Sequence, residues 1–217
     1  MNPRNKQDDM NRTLPTLAWL SVVLRIFVCL LLFLGVFHVE AQAGTISGKV
    51  RARGRRHSGD AVVYIEKIPG KTFPAPQNPV TLDQRNLTFV PHVLPVLVGT
   101  TVAFPNSDEV RHNVFSVSRT ARFNLGTYPR GVVKHITFKE PGVVALLCHV
   151  HVEMSAYVVV VETPYFAVTQ RDGSYTIKHV PPGKYVLKTW HERLKPQSKE
   201  VEVGAGSSAQ ADFILRK

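Results

Sequence analysis

The sequence predicts an all-β protein, and three features of residues 44–217 support this. Short segments rich in Val, Ile, Thr and aromatic residues recur along this region. Clusters of Gly, Pro, Asn and Asp separate these segments, as they do at turns between strands. No window carries apolar residues at a helical period over several turns. Short strands at regular spacing are typical of β-sandwiches and β-barrels.

Each predicted strand is a run of β-formers that ends at a turn signal. Asp172-Gly173, between two such runs, predicts a hairpin turn. The predicted strands are Thr45–Arg51, Ala61–Glu66, Thr100–Phe104, Asn113–Val117, Val132–Phe138, Val143–Leu147, Tyr157–Val161, Phe166–Thr169, Tyr175–His179, Tyr185–His191, Val201–Val203 and Ala211–Leu215.

Residues 1–43 have the features of a secretory signal peptide. Arg4 and Arg12 precede the apolar run Ile26–Phe37, and the small-x-small motif Ala41-Gln42-Ala43 follows it. We therefore predict cleavage after this motif and export to the periplasm. The alternative is an uncleaved membrane anchor, which is less favoured because the run is shorter than the ~20 residues that span a bilayer.

The chain is basic, and its location decides what that charge implies. The formal net charge is +11, and residues 1–43 hold four Lys/Arg and three Asp/Glu, so the mature chain carries +10. Export argues against nucleic acid as a partner and favours an acidic protein or an anionic membrane surface. An inert, solvated basic surface is equally consistent. The loop with Arg53, Arg55 and Arg56 is interpreted as such a solvated hairpin.

The cysteine count indicates a specific role for one thiol. The chain has two cysteines, and Cys29 is removed with the predicted signal peptide. Cys148 is then alone and cannot form an intrachain disulfide. A lone thiol in an oxidising compartment needs either burial or a ligand to protect it.

Residues with metal-ligand chemistry surround Cys148. The spacing Cys148-x-x-His151-x-x-Met154 puts a thiolate, an imidazole and a thioether on one short loop between strands. His112 opens another strand after the turn Pro105-Asn-Ser-Asp and can supply a second imidazole. This donor set suits copper in both oxidation states. We expect each imidazole to donate its other ring N–H to a carbonyl or to water.

Other interpretations of this cluster compete with copper. Zinc also binds Cys with two His, although Met154 argues against it. A cysteine nucleophile would need a base such as His149, but no oxyanion-hole signature accompanies it. A lone Cys at a strand end is also often a simple buried hydrophobe. His149 and His92 remain further candidate imidazoles.

The motifs of the middle region resemble those of the cupredoxins. The resemblance is carried by Val96-Leu-Val-Gly-Thr-Thr-Val-Ala-Phe-Pro-Asn-Ser-Asp, by His112-Asn-Val-Phe-Ser and by Phe138 to Met154, whose ligand spacing resembles that of amicyanin. It implies a Greek-key barrel or sandwich that holds one type 1 copper. His112, Cys148 and His151 would be the equatorial ligands and Met154 the axial one. Asn113 would brace the ligand loop by hydrogen bonding.

The flanking segments resemble the carboxypeptidase regulatory-like family, a small transthyretin-like sandwich. Thr45–Glu66 would provide its first half and Phe166–Leu215 its second. This implies a sandwich from 44–70 with 163–217 and a cupredoxin domain inserted at 71–162. Trp190 is expected in the sandwich core. The whole arrangement resembles bacterial cupredoxin-domain proteins labelled "methylamine utilization protein".

The resemblance implies a protein that is not an enzyme. Its copper would carry single electrons between redox partners, of which at least one has an acidic patch, without substrate turnover. Two alternatives stay open: a copper carrier or accessory protein for another exported enzyme, and a non-metal interaction protein with a cupredoxin-like fold.

Overall fold

The computed structural model describes residues 42–217, and all of their regular secondary structure is β-strand. Within this part of the chain, no helix is long and apolar enough to cross a membrane. The predicted signal peptide lies outside the described residues except for Gln42 and Ala43. The all-β prediction is confirmed.

Two four-stranded sheets form one sandwich from the two ends of the described chain, which we call the terminal sandwich. In the first sheet, the first strand pairs antiparallel with one strand and parallel with two others. The first sheet consists of β1 (Gly44–Ala52), β14 (Ser174–Val180), β17 (Ser208–Gln210) and β18 (Phe213–Leu215). The second sheet consists of β2 (Val62–Ile65), β13 (Phe166–Val168), β15 (Gly183–Trp190) and β16 (Ser198–Val203).

The chain between β2 and β13 forms a second sandwich, which we call the inserted sandwich. Its larger sheet consists of β6 (Val93–Leu97), β12 (Ser155–Val161), β11 (Gly142–Leu147), β8 (His112–Val117) and β9 (Arg122–Tyr128). Its smaller sheet consists of β10 (Val133–Thr137), β7 (Thr101–Pro105) and β3 (Val80–Thr81). A hairpin, β4 (Asp83–Arg85) with β5 (Thr88–Val90), completes it. The exact domain boundaries at 70/71 and 162/163 stay predictions.

Each sandwich has its own apolar core, built from alternate residues of its strands. In β15 the odd-numbered residues Tyr185, Leu187 and Thr189 are buried, whereas Lys184 and Val186 are exposed. This period of two is that of a strand with one face on a core. The core of the inserted sandwich contains Phe104, Phe138, Leu146 and, at one end, Cys148 and Met154.

A smaller apolar cluster joins the two sandwiches. It contains Val62 from the terminal sandwich and Val93, Val159 and Val161 from the inserted one. Trp190 packs against this cluster, and its ring centroid lies 5.1 Å from that of Tyr157. The expectation that Trp190 lies in the terminal sandwich core is therefore wrong, because its strand ends where the other sandwich covers it.

The terminal core allows a direct test of this packing. Leu187 is fully buried, whereas its neighbour Val186 is 38% exposed on the other face of the strand. We expect Leu187→Ala to lower the free energy of unfolding by about 2–5 kcal/mol, through lost burial and the cavity it leaves. Val186→Ala should lower it by less than about 1 kcal/mol. Urea denaturation measures both free energies of unfolding. If the two variants lost the same amount, Leu187 and Val186 could not lie on the buried and exposed faces of β15 as assigned.

Candidate metal centre

The structure brings His112, Cys148 and His151 together at one end of the inserted sandwich. One imidazole nitrogen from each His and the Cys148 sulfur all lie within 4.8 Å of one another. His112 begins β8, and Cys148 directly follows β11, which pairs with β8 through Leu147 and Phe115. His151 lies in the loop that leads into β12. Strand pairing therefore fixes two of the three side chains, and a short loop supplies the third.

The ring of His112 is held on one side by a carboxylate. Its Nε2 lies 2.7 Å from Oδ2 of Asp108, and its Nδ1 lies 3.1 Å from Nδ1 of His151. Because an ionised carboxylate only accepts hydrogen bonds, Nε2 carries the ring proton and Nδ1 presents its lone pair toward the cluster. The expectation of a carbonyl or water partner is wrong for His112, since the partner is a carboxylate.

Asp108 is itself held by the tip of the β4–β5 hairpin. The amides of Asn86 and Leu87 donate to its two oxygens at 2.5 and 3.0 Å. Both residues have positive φ values of 55° and 56°, which turns two consecutive amides toward one carboxylate. Burial raises the pKa of Asp108, but these hydrogen bonds and that from His112 outweigh it and leave the pKa below its ordinary value. The carboxylate is therefore ionised around neutral pH.

Cys148 and Met154 are both buried in the core of the inserted sandwich. The amide of Met154 donates to the carbonyl oxygen of His151 at 3.0 Å and closes a turn in the loop. Tyr128 lies near the thiol, and burial, with smaller effects from Cys148 and Asp83, raises its pKa to about 12 in spite of a hydrogen bond from Gln84. On the core side, Cys148 belongs to the apolar cluster of the inserted sandwich.

Asn113 links the ligand loop to two strands. Its Oδ1 accepts a long hydrogen bond of 3.4 Å from the amide of His149, and its Nδ2 donates to Oδ1 of Asn124 at 2.8 Å. The side chain is buried next to His112. This arrangement can brace the loop directly after Cys148.

The two further candidate imidazoles do not join the cluster. The ring of His149 stacks on Phe115, with centroids 3.7 Å apart and planes within 3° of parallel. His92 places Nδ1 at 3.1 Å from the carbonyl of Ser155 and Nε2 at 3.3 Å from Glu192. Both imidazoles make other contacts, so the candidate donors that the structure brings together are His112, Cys148 and His151, and Met154 is buried in the same core as Cys148.

Exposed valines lie close to the site residues in the chain, among exposed charged residues such as Glu109 and Glu153. His151 is only partly buried; two of the valines flank it in the chain, and the third lies two residues before His112. The three valines are Val110, Val150 and Val152, with exposures of 44%, 48% and 83%. His151 thus lies between the buried cluster and exposed Val110, Val150 and Val152, which we call the valine patch.

Sequence reasoning missed the residues that position His112. In the sequence, Asp108 reads only as part of a turn, and Asn86-Leu-Thr88 matches only a glycosylation acceptor motif. An acid four residues before a candidate ligand was the available signal for Asp108. The sequence of the hairpin tip carries no such signal, because only the fold brings Asn86 and Leu87 to Asp108.

Comparison with family models gives one match. The model described as "Carboxypeptidase regulatory-like domain" matches residues 153–216, which is less than half of the chain. It supports the predicted resemblance for the C-terminal part, whereas the first half of the predicted sandwich lies outside the match. Its start overlaps β12, which belongs to the inserted sandwich. Among curated proteins, none matches the sequence.

Solved structures show similarity to part of this chain. An oxidised amicyanin variant is 26% identical over 38% of this chain and 81% of its own, with a TM-score of 0.36. A purple cupredoxin from Nitrosopumilus maritimus is 26% identical over 37% of this chain and 98% of its own, with a TM-score of 0.35. A copper-containing nitrite reductase from Thermus scotoductus SA-01 is 28% identical, and the match covers 46% of this chain and 25% of the reductase, with a TM-score of 0.39. These TM-scores are low, so function has to be inferred from the side chains themselves.

Proposed function

We propose that the protein is an exported carrier of single electrons that uses one copper ion, held by His112, Cys148 and His151 with Met154 as a weak fourth ligand. The observation that carries this proposal is the convergence of two imidazole nitrogens and one thiol sulfur within 4.8 Å of one another. Bound copper would supply the one-electron redox chemistry. The protein's own part is to hold the donors, exclude water and provide a route to the surface.

The donor set fits a cation in its protonation states as well as its positions. With Nε2 of His112 donating to Asp108, its Nδ1 lone pair points at Nδ1 of His151, only 3.1 Å away. Metal–nitrogen and metal–sulfur distances of ~2.0 and ~2.3 Å place the ligands of one ion about 3–4 Å apart. The observed separations need only small side-chain adjustments to match.

The chemistry of the donors favours copper over zinc. A thiolate and a thioether are soft ligands that suit Cu(I), and imidazoles also satisfy Cu(II). Structural zinc sites use thiolate, imidazole or carboxylate ligands. The burial of Met154 in the same core cluster as Cys148 is therefore the feature that distinguishes the two metals.

The support around the donors suits electron transfer. His112 is fixed by Asp108, the start of the loop is braced by Asn113, and Cys148 is fixed by its strand. A centre held this firmly rearranges little when its charge changes, which keeps electron exchange fast. The route by which electrons enter and leave is the partly exposed His151, which two valines of the valine patch flank in the chain.

Two histidines on the same loop provide a matched test. The full chain loaded with Cu(II) is expected to retain one copper per chain, to show intense visible absorption from the thiolate, and to cycle reversibly by one electron at an electrode. His151→Ala should abolish the absorption, whereas His149→Ala should keep it, because His149 stacks on Phe115 away from the donors.

The same experiment separates the alternatives. Preference for zinc in competition with copper, or loss of absorption in both variants, would contradict the ligand assignment. Rapid copper release to a chelator, without reversible cycling, would instead identify a copper carrier. A purified chain that retains no metal would leave only an interaction protein.

A further inference from the structure

Six cationic side chains gather at one end of the terminal sandwich, which we call the basic end. Three lie in the loop after β1, two lie in the turn after β15, and one follows β18. The six residues are Arg53, Arg55, Arg56, Arg193, Lys195 and Arg216.

The sheet pairing brings these separate segments together. β18 runs parallel to β1, so both strands finish at the same end, and the amide of Arg53 donates to the carbonyl of Leu215 at 3.0 Å. The amide of Lys195 donates to the carbonyl of Arg216 at 2.8 Å. The charges therefore form one surface rather than a series of unrelated loops.

The positive charge of the basic end is poorly compensated. Its loops contain only the carboxylates of Asp60 and Glu192, and Glu192 is shared between Arg193 at 3.2 Å and His92 at 3.3 Å. Within residues 42–217, Arg193 is the one member of the six that forms an ion pair. All six are exposed except Arg55, which is partly buried. Such a cluster produces a positive field that reaches beyond the surface.

One edge of the basic end, the turn after β15, lies near the end of the ligand loop. The two sandwiches are joined at one end where the chain passes between them, after β2 and before β13. They touch again at their other ends, where His92 meets Glu192. His92 also reaches the carbonyl of Ser155, the residue after Met154. His92 therefore links the turn with Glu192 and Arg193 to the end of the ligand loop.

We propose that the basic end is the docking surface for an acidic electron-transfer protein, which it orients so that the partner's redox group meets the valine patch over His151. This inference rests on the proposed function and assigns a role to the terminal sandwich. Charges beside the exit route speed and orient encounter, while the apolar patch makes the close contact. The loop interpreted from sequence as a solvated hairpin is thereby part of an interface.

A protein fits this surface better than a membrane does. Anionic lipids would satisfy the same arginines, but a lipid surface brings no redox group to His151. The valine patch is also small, and one strongly exposed valine, Val152, stands beside the imidazole. A compact partner that covers both the patch and the basic end uses all of these features at once.

The test uses the full chain with a plant-type ferredoxin as an acidic redox probe and cytochrome c as a basic one. We expect ferredoxin to bind and cytochrome c not to bind, with affinity falling steeply as salt rises. The triple variant Arg53→Glu, Arg55→Glu, Arg56→Glu should weaken ferredoxin binding at least about tenfold. The control triple Lys67→Glu, Lys71→Glu, Lys139→Glu changes the net charge equally at exposed positions away from the basic end, and should change binding by less than about twofold.

Four further measurements test the orientation of the partner, the specificity of the charge effect, the membrane alternative and the dependence on copper. Val152→Asp should also weaken ferredoxin binding, and no effect would overturn the proposed orientation over His151. Equal losses in the two triple variants would show a nonspecific charge effect and overturn the docking surface. Binding to vesicles of phosphatidylglycerol and phosphatidylcholine, without binding to ferredoxin, would replace the protein partner with a membrane. Titrations of the metal-free and copper-loaded chain keep docking separate from copper binding, which is followed by the thiolate absorption.

Discussion

Replacing Cys148 with serine is expected to abolish the visible absorption of the copper-loaded protein completely. A serine hydroxyl stays protonated at neutral pH and is a hard, weak ligand, so it cannot replace the thiolate. The apo protein should remain folded, because serine is nearly the same size and the site lies at the end of the core. Absorption spectra of copper-loaded samples, with circular dichroism of the apo forms, provide the measurement.

Met154→Leu is the matched control for this variant. Leucine fills a similar volume in the core, so the fold is expected to persist. If Met154 is only a weak axial ligand, the absorption should remain with a shifted maximum, and the reduction potential should rise. Retention of the full spectrum by Cys148→Ser would show that the sulfur does not bind copper.

Asp108→Ala is expected to weaken copper binding by about 10–100-fold although Asp108 is not itself a ligand. The substitution frees Nε2 of His112 and leaves the amides of Asn86 and Leu87 without their acceptor. The ring can then rotate or change tautomer, so that Nδ1 no longer presents a lone pair to the cluster. Competition with a chelator of known affinity measures the loss.

Asp172→Ala is the control for Asp108. Asp172 also accepts an amide hydrogen bond in a turn, from Ser174 at 3.0 Å, but it lies in the terminal sandwich. Its replacement should leave copper affinity unchanged. Asp108→Asn adds a second comparison, since it keeps an acceptor oxygen without the charge. Wild-type affinity in Asp108→Ala would show that His112 is held by its strand alone.

Much of the fold could be predicted because most strands carry a continuous run of β-branched or aromatic residues. β3, β4, β5, β6, β9 and β17 were not predicted, and the two longest of them, β6 and β9, each have a local reason. β6 contains Pro95, which cannot donate to a ladder and is tolerated here because β6 is the edge strand of its sheet. β9 contains Gly126 and is largely polar, since it lies at the opposite edge of the same sheet.

The candidate site was predictable where ligand chemistry depends on short spacing. Cys148, His151 and Met154 lie on one loop, so their spacing alone indicates a metal site. The carboxylate behind His112 was not predictable in the same way, because it is positioned by a hairpin tip more than twenty residues earlier. Which of several imidazoles joins the cluster also depended on stacking and ion pairing in three dimensions, as the commitments of His149 and His92 show.

The apolar cluster between the two sandwiches matters for any use of the inserted sandwich on its own. Cutting out residues 71–162 would leave Val93, Val159 and Val161 bare to water on one flank. A shortened version for electrode or sensor work would tend to self-associate through that flank. Polar replacements at these three valines would be the first step in making the inserted sandwich stable without the terminal sandwich.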